Sequence, residues 1–262
     1  MTYLKAKKSF GQHFLNREDI AMRIADSLQL SGTAYHQVLE IGPGKGMLTK
    51  YLLKKTTELT VVEADRDMVD YLHKHYPALG NRILAEDFLR LPLEDIFGGA
   101  PFGLIGNFPY NISSQILFRM LDYKDQIPEM AGMFQKEVAE RIVAPPGSKT
   151  YGILSVLAQA FYEGQYLFTV DKACFTPPPK VQSGVIRLIR KTNATLPCNE
   201  KLFKQVVKQA FSQRRKMLRN TMKLFLSEDA LLADSFFTQR PEQLSLEDFI
   251  QVTQWIEERR KV

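Results

Sequence analysis

The sequence predicts an α/β fold, a mostly parallel sheet of seven strands wrapped by helices, with a small helical domain after it. Three observations predict this. The apolar run Val38-Leu39-Glu40-Ile41 breaks into glycines at 42, 44 and 46 and then resumes with helical periodicity, which is strand, tight turn and helix. Further strand-like runs, Leu59 to Asp65 and Arg82 to Phe88, end in acidic residues and alternate with helical segments, the mark of parallel strands joined by crossover helices. Beyond the polar stretch Thr192 to Asn199 only helical periodicity remains. The expected division is 1–192 for the sheet domain and 193–262 for the helical one.

Composition bounds the functions. A chain of 262 residues can bury a sizeable core, and 45% hydrophobic with 24% charged residues is ordinary for a soluble globular protein. A net charge of +6 favours a polyanionic partner over an acidic one. Cys174 and Cys198 have neither metal-ligand spacing nor the pattern of a disulfide framework, so a reduced, cytoplasmic setting without a metal is expected. No apolar stretch resembles a signal peptide or reaches membrane-spanning length, so no membrane partner is expected.

The elements follow in order. Lys5 to Asn16 interleaves lysines with Phe10, Phe14 and Leu15, whose rings and chains want burial, so this basic segment is expected to be pinned rather than frayed. Asn16 before Arg17-Glu18-Asp19 reads as a helix cap, with Ile20, Ile24, Ala25 and Leu28 on one face of the helix that follows. In the glycine turn, a third glycine for a dinucleotide loop would fall at Met47, and Lys45 is not followed by Ser or Thr as in a nucleoside triphosphate loop. The pattern Glu40-x-Gly42-x-Gly44-x-Gly46 instead resembles the first motif of S-adenosylmethionine-dependent methyltransferases. Glu63 lies 21 residues after Gly42, the spacing at which an acid at the next strand's end reaches a ribose hydroxyl pair. Asp87, at the end of the third strand, can accept from an adenine amino group. His73 and His75 diverge on their helix and do not suit a shared metal.

A fourth strand, from Phe102, runs into Asn107-Phe108-Pro109-Tyr110. Pro109 stiffens the turn, Asn107 offers an amide carbonyl and Tyr110 an aromatic face of base size. Together they describe a pocket for a flat ring bearing an exocyclic amine. A helix over 113–121, a fifth strand over 129–135, an apolar helix over 152–161 and strands over 165–170 and 184–189 follow, the last two joined through Pro177-Pro178-Pro179. In the helical domain, Phe203, Val206, Val207, Ala210 and Phe211 fall at core spacing. From Lys201 to Lys223 there are eight Lys or Arg and no acid, which favours phosphate contacts by Arg214, Arg215, Lys216 and Arg219 along a basic helix, joined by the N-terminal Lys7 and Lys8. Trp255, with Leu246, Phe249, Ile250 and Ile256, reads as core.

Longer strings carry a closer resemblance. They are Lys8 to Leu15, Asn107 to Ser113, Gln135 to Val138, Phe175 to Ser183, and Ala210-Phe211 with Arg214-Arg215-Lys216. From about Lys7 to Lys223 the chain resembles the ribosomal RNA adenine dimethyltransferases of the KsgA or RsmA type, a family that also holds the Erm methyltransferases and mitochondrial transcription factor B. The resemblance implies a Rossmann-like methyltransferase domain, S-adenosylmethionine as cofactor, and small-subunit ribosomal RNA within a pre-ribosomal particle as partner of a monomeric enzyme. It implies cofactor contacts at His13, Leu15, Gly42, Gly44, Glu63, Asp87 and Asn107, and catalytic roles for Asn107, Pro109, Tyr110 and Phe175, the last as a second aromatic wall. Phe175 read from the chain alone is equally a core residue at a strand end. His13 stands where the family often has Asn. An Erm-type enzyme acting on large-subunit RNA and a non-catalytic RNA-binding assembly factor are the alternatives.

Overall fold

The computed structural model describes residues 7, 10–29, 36–56, 58–227 and 230–260; Lys8, one of the expected phosphate contacts, lies outside them. Among the described residues nine strands form: β1 (Phe14–Leu15), β2 (Gln37–Ile41), β3 (Leu59–Val62), β4 (Ile83–Leu84), β5 (Phe102–Asn107), β6 (Glu129–Gln135), β7 (Tyr162–Val170), β8 (Phe175–Thr176) and β9 (Ser183–Arg190). Seven of them make one sheet in the order β4-β3-β2-β5-β6-β9-β7. The pairs β4–β3, β3–β2, β2–β5 and β5–β6 are parallel, and β9 returns antiparallel to β6. The sequences of β2, β3 and β5 are near-continuous apolar runs because their residues are covered on both faces. The chain leaves β2 toward β3 on one side and β5 lies on the other, so the strand order reverses between β2 and β5. A crevice opens over the carboxyl ends of strands at such a point.

The turn after β5 is held from below by packing. Gly106 on β5 pairs with Gly132 on β6, and the Phe108 ring lies across both. A Cβ at Gly132 would stand 2.2 Å from that ring, and one at Gly106 2.8 Å. Phe108 is fully buried and meets the edge of Phe134 at 4.9 Å between centroids. The hydrophobic second residue of the tetrapeptide is thus a peg seated on two glycines.

Several boundaries differ from expectation. The second and third strands are shorter, so Glu63, Asp65 and Asp87 lie beyond the ladders in turns rather than at strand ends. The first helix is Glu18–Ala25 with Arg17 at the cap position, not Asn16. Asn16 is drawn away: its N–H donates to the Cys174 carbonyl at 2.9 Å and its side chain to Thr176 Oγ1 at 3.1 Å. These bonds extend an antiparallel pairing of β1 with β8, Phe14 opposite Thr176 and Leu15 opposite Phe175, which two-residue strands do not announce in sequence.

Two compact units emerge, Met1–Ala139 with Gly164–Arg190, and Glu140–Glu163 with Lys191–Val262. The last crossing falls two residues before the expected boundary at 192, and the helical unit also takes in the segment from 140 to 163. Aromatic packing accounts for that: Tyr151, buried, meets Phe211 edge-on at 6.1 Å, and Phe211 stacks on Phe249 at 5.8 Å. The helix Glu200–Phe211 is capped by Asn199, whose side chain accepts the Leu202 N–H, and it buries Leu202, Phe203, Val206, Val207 and Ala210. Trp255, expected in the core, is half-buried and meets the half-buried Phe236 edge-on at 5.3 Å, beside the buried Phe249 and Ile256. The basic run is not helical throughout: Arg214, Arg215 and Lys216 occupy a turn after residue 211. No helix among the described residues is long and apolar enough to cross a membrane.

The Phe108 seat generates a test. Gly132→Ala should cost about 1–3 kcal/mol through overpacking against the ring, measured as a lowered urea midpoint with unchanged slope. An unshifted midpoint would mean that the ring is free to yield.

Candidate active site

The cavity over the carboxyl ends of β2, β3 and β5 has a volume of about 300 Å³. Its floor is the glycine turn, where Gly42 and Gly44 have φ of 63° and 55°, values that favour glycine. The Phe14 ring of β1 packs down on this turn, 3.2 Å from where a Gly44 Cβ would stand. The turn is clasped from inside by Glu40. Fully buried on β2, Glu40 accepts a hydrogen bond from Thr49 Oγ1 at 2.7 Å, tying the strand before the glycines to the helix after them. Burial pushes its carboxyl up to about 8, the Thr49 bond working against this and the nearby Glu63 with it.

Two further acids divide their work. Glu63, buried, accepts the N–H groups of Gly44 (3.1 Å) and Asp65 (3.0 Å); burial raises its pKa against those two bonds. Its carboxylate borders the cavity. Asp65, also buried, faces the N-terminal segment instead. It accepts from Lys7 Nζ at 2.5 Å, Gln12 Nε2 at 2.9 Å and the Asp67 N–H at 3.1 Å. Burial opposes ionisation of Asp65, but these donors outweigh it and hold its pKa below the ordinary value. The segment over 10–15 is therefore pinned, as its aromatics suggested, through an anchor the sequence reading missed. The signal was there: Asp65 two residues before Asp67 is a helix-cap pattern.

The tetrapeptide completes the wall. Asn107 donates its Nδ2 to the His13 carbonyl at 3.2 Å, which leaves Oδ1 as the acceptor of the pair. Tyr110 shares a 2.5 Å hydrogen bond with the buried Ser183 Oγ, so its ring is fixed from the hydroxyl end; burial raises its pKa against that bond. His13 lies 5.5 Å from the Tyr110 ring, and its Nδ1 is engaged by the Pro177 carbonyl at 2.8 Å. The His13 side chain is thereby committed to the proline loop.

The structure brings His13, Leu15, Gly42, Gly44, Glu63, Asp87, Asn107, Pro109 and Tyr110 around one cavity. Phe175 is not among its bordering residues. It is 2% exposed and packs in the core, because pairing opposite Leu15 turns it inward and leaves Thr176 outside. The aromatic ring of the tetrapeptide that borders the cavity is Tyr110, with His13 as its neighbour. Among the expected phosphate contacts, Lys7 is engaged by Asp65 and Asp67, and Arg214 by the Ser148 carbonyl, with Glu242 at 4.0 Å. Arg215 and Lys216 are exposed.

The donors and acceptors fit S-adenosylmethionine. The buried Glu63 carboxylate suits a ribose diol, Asp87 an adenine amine, the flat glycine turn a close-lying chain, and the apolar walls of Ile41, Val62 and Phe88 a purine.

Comparison with known proteins agrees. The family model for ribosomal RNA adenine dimethylase matches residues 3–258. Ribosomal RNA small subunit methyltransferase A of Flavobacterium johnsoniae is 58% identical over 257 residues, covering 98% of this chain and 98% of that protein. The protein of the same name from Parabacteroides distasonis is 57% identical, covering 97% and 94%. Among solved structures, a dimethyladenosine transferase from Plasmodium falciparum shares the fold with a TM-score of 0.78 at 24% identity, over 95% of this chain and 98% of that one. The 23S rRNA methyltransferase ErmE shares it at 0.67 and 23%, over 92% and 99%.

The Glu40 clasp carries a pH signature. A carboxyl raised from 4.5 to about 8 in the folded chain binds its proton where the unfolded chain has lost it, so its contribution to stability is full below 4.5 and is lost as pH rises toward 8. Relative to Glu40→Gln, the cofactor-free wild type should therefore lose on the order of several kcal/mol between pH 5 and 8. Parallel melting curves of the two proteins across that range would contradict it.

Proposed function

Because the chain belongs to the ribosomal RNA adenine dimethylase family, we propose that it uses S-adenosylmethionine to dimethylate N6 of two adjacent adenines near the 3′ end of small-subunit ribosomal RNA. It acts as a monomer on an assembling small subunit in the cytoplasm. The observation that supports this best is the opening of Asn107, Pro109 and Tyr110 onto the same cavity as the glycine turn and Glu63. A base-sized acceptor pocket and a nucleoside-shaped one share a wall.

The bound cofactor supplies a methyl already activated on a sulfonium, so the reaction calls for no metal. The chain's own residues do the rest. The adenine must leave its stack to reach the cavity. Asn107 Oδ1, oriented by the bond from Nδ2 to the His13 carbonyl, accepts one N6 hydrogen. The Pro109 carbonyl, which accepts the Ile112 N–H at 3.2 Å with one lone pair, accepts the other with its second. Both bonds draw the nitrogen lone pair out of ring conjugation and aim it. Tyr110 stacks on the base, and its face favours the positive charge that grows on nitrogen. The methylated amine then loses its proton readily to water, so no general base is required.

RNA affinity comes from phosphate contacts of the helical unit, chiefly the exposed Arg215 and Lys216, with Arg219 beside them and Arg214 bracing the turn. Lys7 acts from within the fold by holding the N-terminal segment over the cavity. Phase by phase, phosphate contacts give affinity and base contacts give register and reactivity.

The direct test is mass spectrometry of ribosomal RNA after incubation with labelled cofactor, with small- and large-subunit RNA offered separately. Label on large-subunit adenine alone would favour the Erm reading. Asn107→Ala should lose methyl transfer by several orders of magnitude, as loss of a positioning acceptor does, while co-sedimentation with small-subunit particles persists. Loss of both together would refute the division between pocket and basic surface. Reversing Arg215 and Lys216 to Glu should flatten the slope of log affinity against log salt by about 1 per lost phosphate contact. Cofactor affinity should stay unchanged.

A further inference from the structure

Charge is unevenly placed around the cavity. Glu40, Glu63, Glu86 and Asp87 border it, and among the described residues Lys45 is its one fixed cation. Lys45 follows Gly44 in the turn and is exposed. Its ammonium has no acidic partner among the described residues; it rests 4.9 Å from the centroid of the Phe14 ring. A cation on an exposed aromatic face is weakly held and yields to a carboxylate. Phe14 itself is fixed, its backbone paired with Thr176 and its ring against Gly44.

S-adenosylmethionine carries two positive groups, the sulfonium and the α-ammonium, and one negative group, the α-carboxylate. The acids of the cavity complement the positive groups and the ribose hydroxyls. They repel the carboxylate, which needs a cation or free N–H groups. The Gly44 N–H is already taken by Glu63. Resting on the cofactor reading above, we propose that Lys45 leaves the Phe14 face to pair with the cofactor's α-carboxylate. It thereby fixes the amino-acid tail and makes the carboxylate a requirement for tight binding.

The test compares two ligands by titration calorimetry: S-adenosylmethionine and its decarboxylated analogue, which lacks only the α-carboxylate. Lys45→Met keeps an unbranched stem on Phe14 and removes the charge. It should weaken S-adenosylmethionine about ten- to a hundredfold, the loss of one charge-assisted hydrogen bond, and the decarboxylated analogue by less than about twofold. Lys45→Arg should restore most of the affinity for S-adenosylmethionine. An equal loss for both ligands would assign Lys45 a merely structural role and overturn the proposal, and so would an unchanged affinity for S-adenosylmethionine. A wild-type chain that binds neither ligand overturns the cofactor reading along with it, so the two failures are told apart.

Discussion

One packing constraint underlies the site: the Phe108 ring must lie flat on the backbones of β5 and β6. Only glycine at 106 and 132 permits it, since a Cβ at either would stand inside van der Waals distance of the ring. With the ring seated, the backbone on either side of it has little freedom. Asn107 ends the strand and Pro109 begins the turn, so the two carbonyl acceptors attributed to the reaction flank a buried peg. Tyr110 is then fixed independently, through Ser183 on β9. Positioning catalysis requires well-placed acceptors, and here core packing fixes the backbone while the His13 carbonyl orients the Asn107 amide.

Much of this was legible in the sequence, for physical reasons. Strand, glycine turn and helix are local events, and the acid 21 residues on from Gly42 follows from the fixed length of a βαβ unit. The Asn107 to Tyr110 turn is likewise contiguous, so its chemistry can be inferred from four residues. What stayed hidden depends on residues far apart in the chain. The pairing of β1 with β8 joins segments about 160 residues apart through two-residue strands that carry no alternation. That same pairing turns Phe175 into the core and draws Asn16 away from the helix start, so both misplacements have one cause. The anchoring of Lys7 by Asp65 is equally non-local. A lysine near a chain end reads as a surface charge until the buried acid that holds it is seen. The 140–163 segment shows the same limit, since its membership of the helical unit rests on Tyr151 finding Phe211 and not on any property of its own sequence.

Charge is unevenly distributed over the chain. The chain carries a net +6, yet the cavity borders four acids and one fixed cation. A phosphate group is disfavoured beside those carboxylates. A neutral base can enter where a phosphate cannot.

Four acids close together would be self-defeating if all were ionised. The structure separates them by solvation and by partners. Glu40, sealed behind the turn with one hydroxyl donor, has its carboxyl pushed up to about 8 by burial, which favours the neutral form of this clasp. Glu63 is given two backbone N–H donors, which favour the charge that burial opposes. Asp87 is half-buried and remains partly solvated. Glu86 is exposed, and the acid behind the glycines contributes shape rather than charge. If Glu40 were ionised as well, its repulsion of Glu63 would raise that carboxyl further.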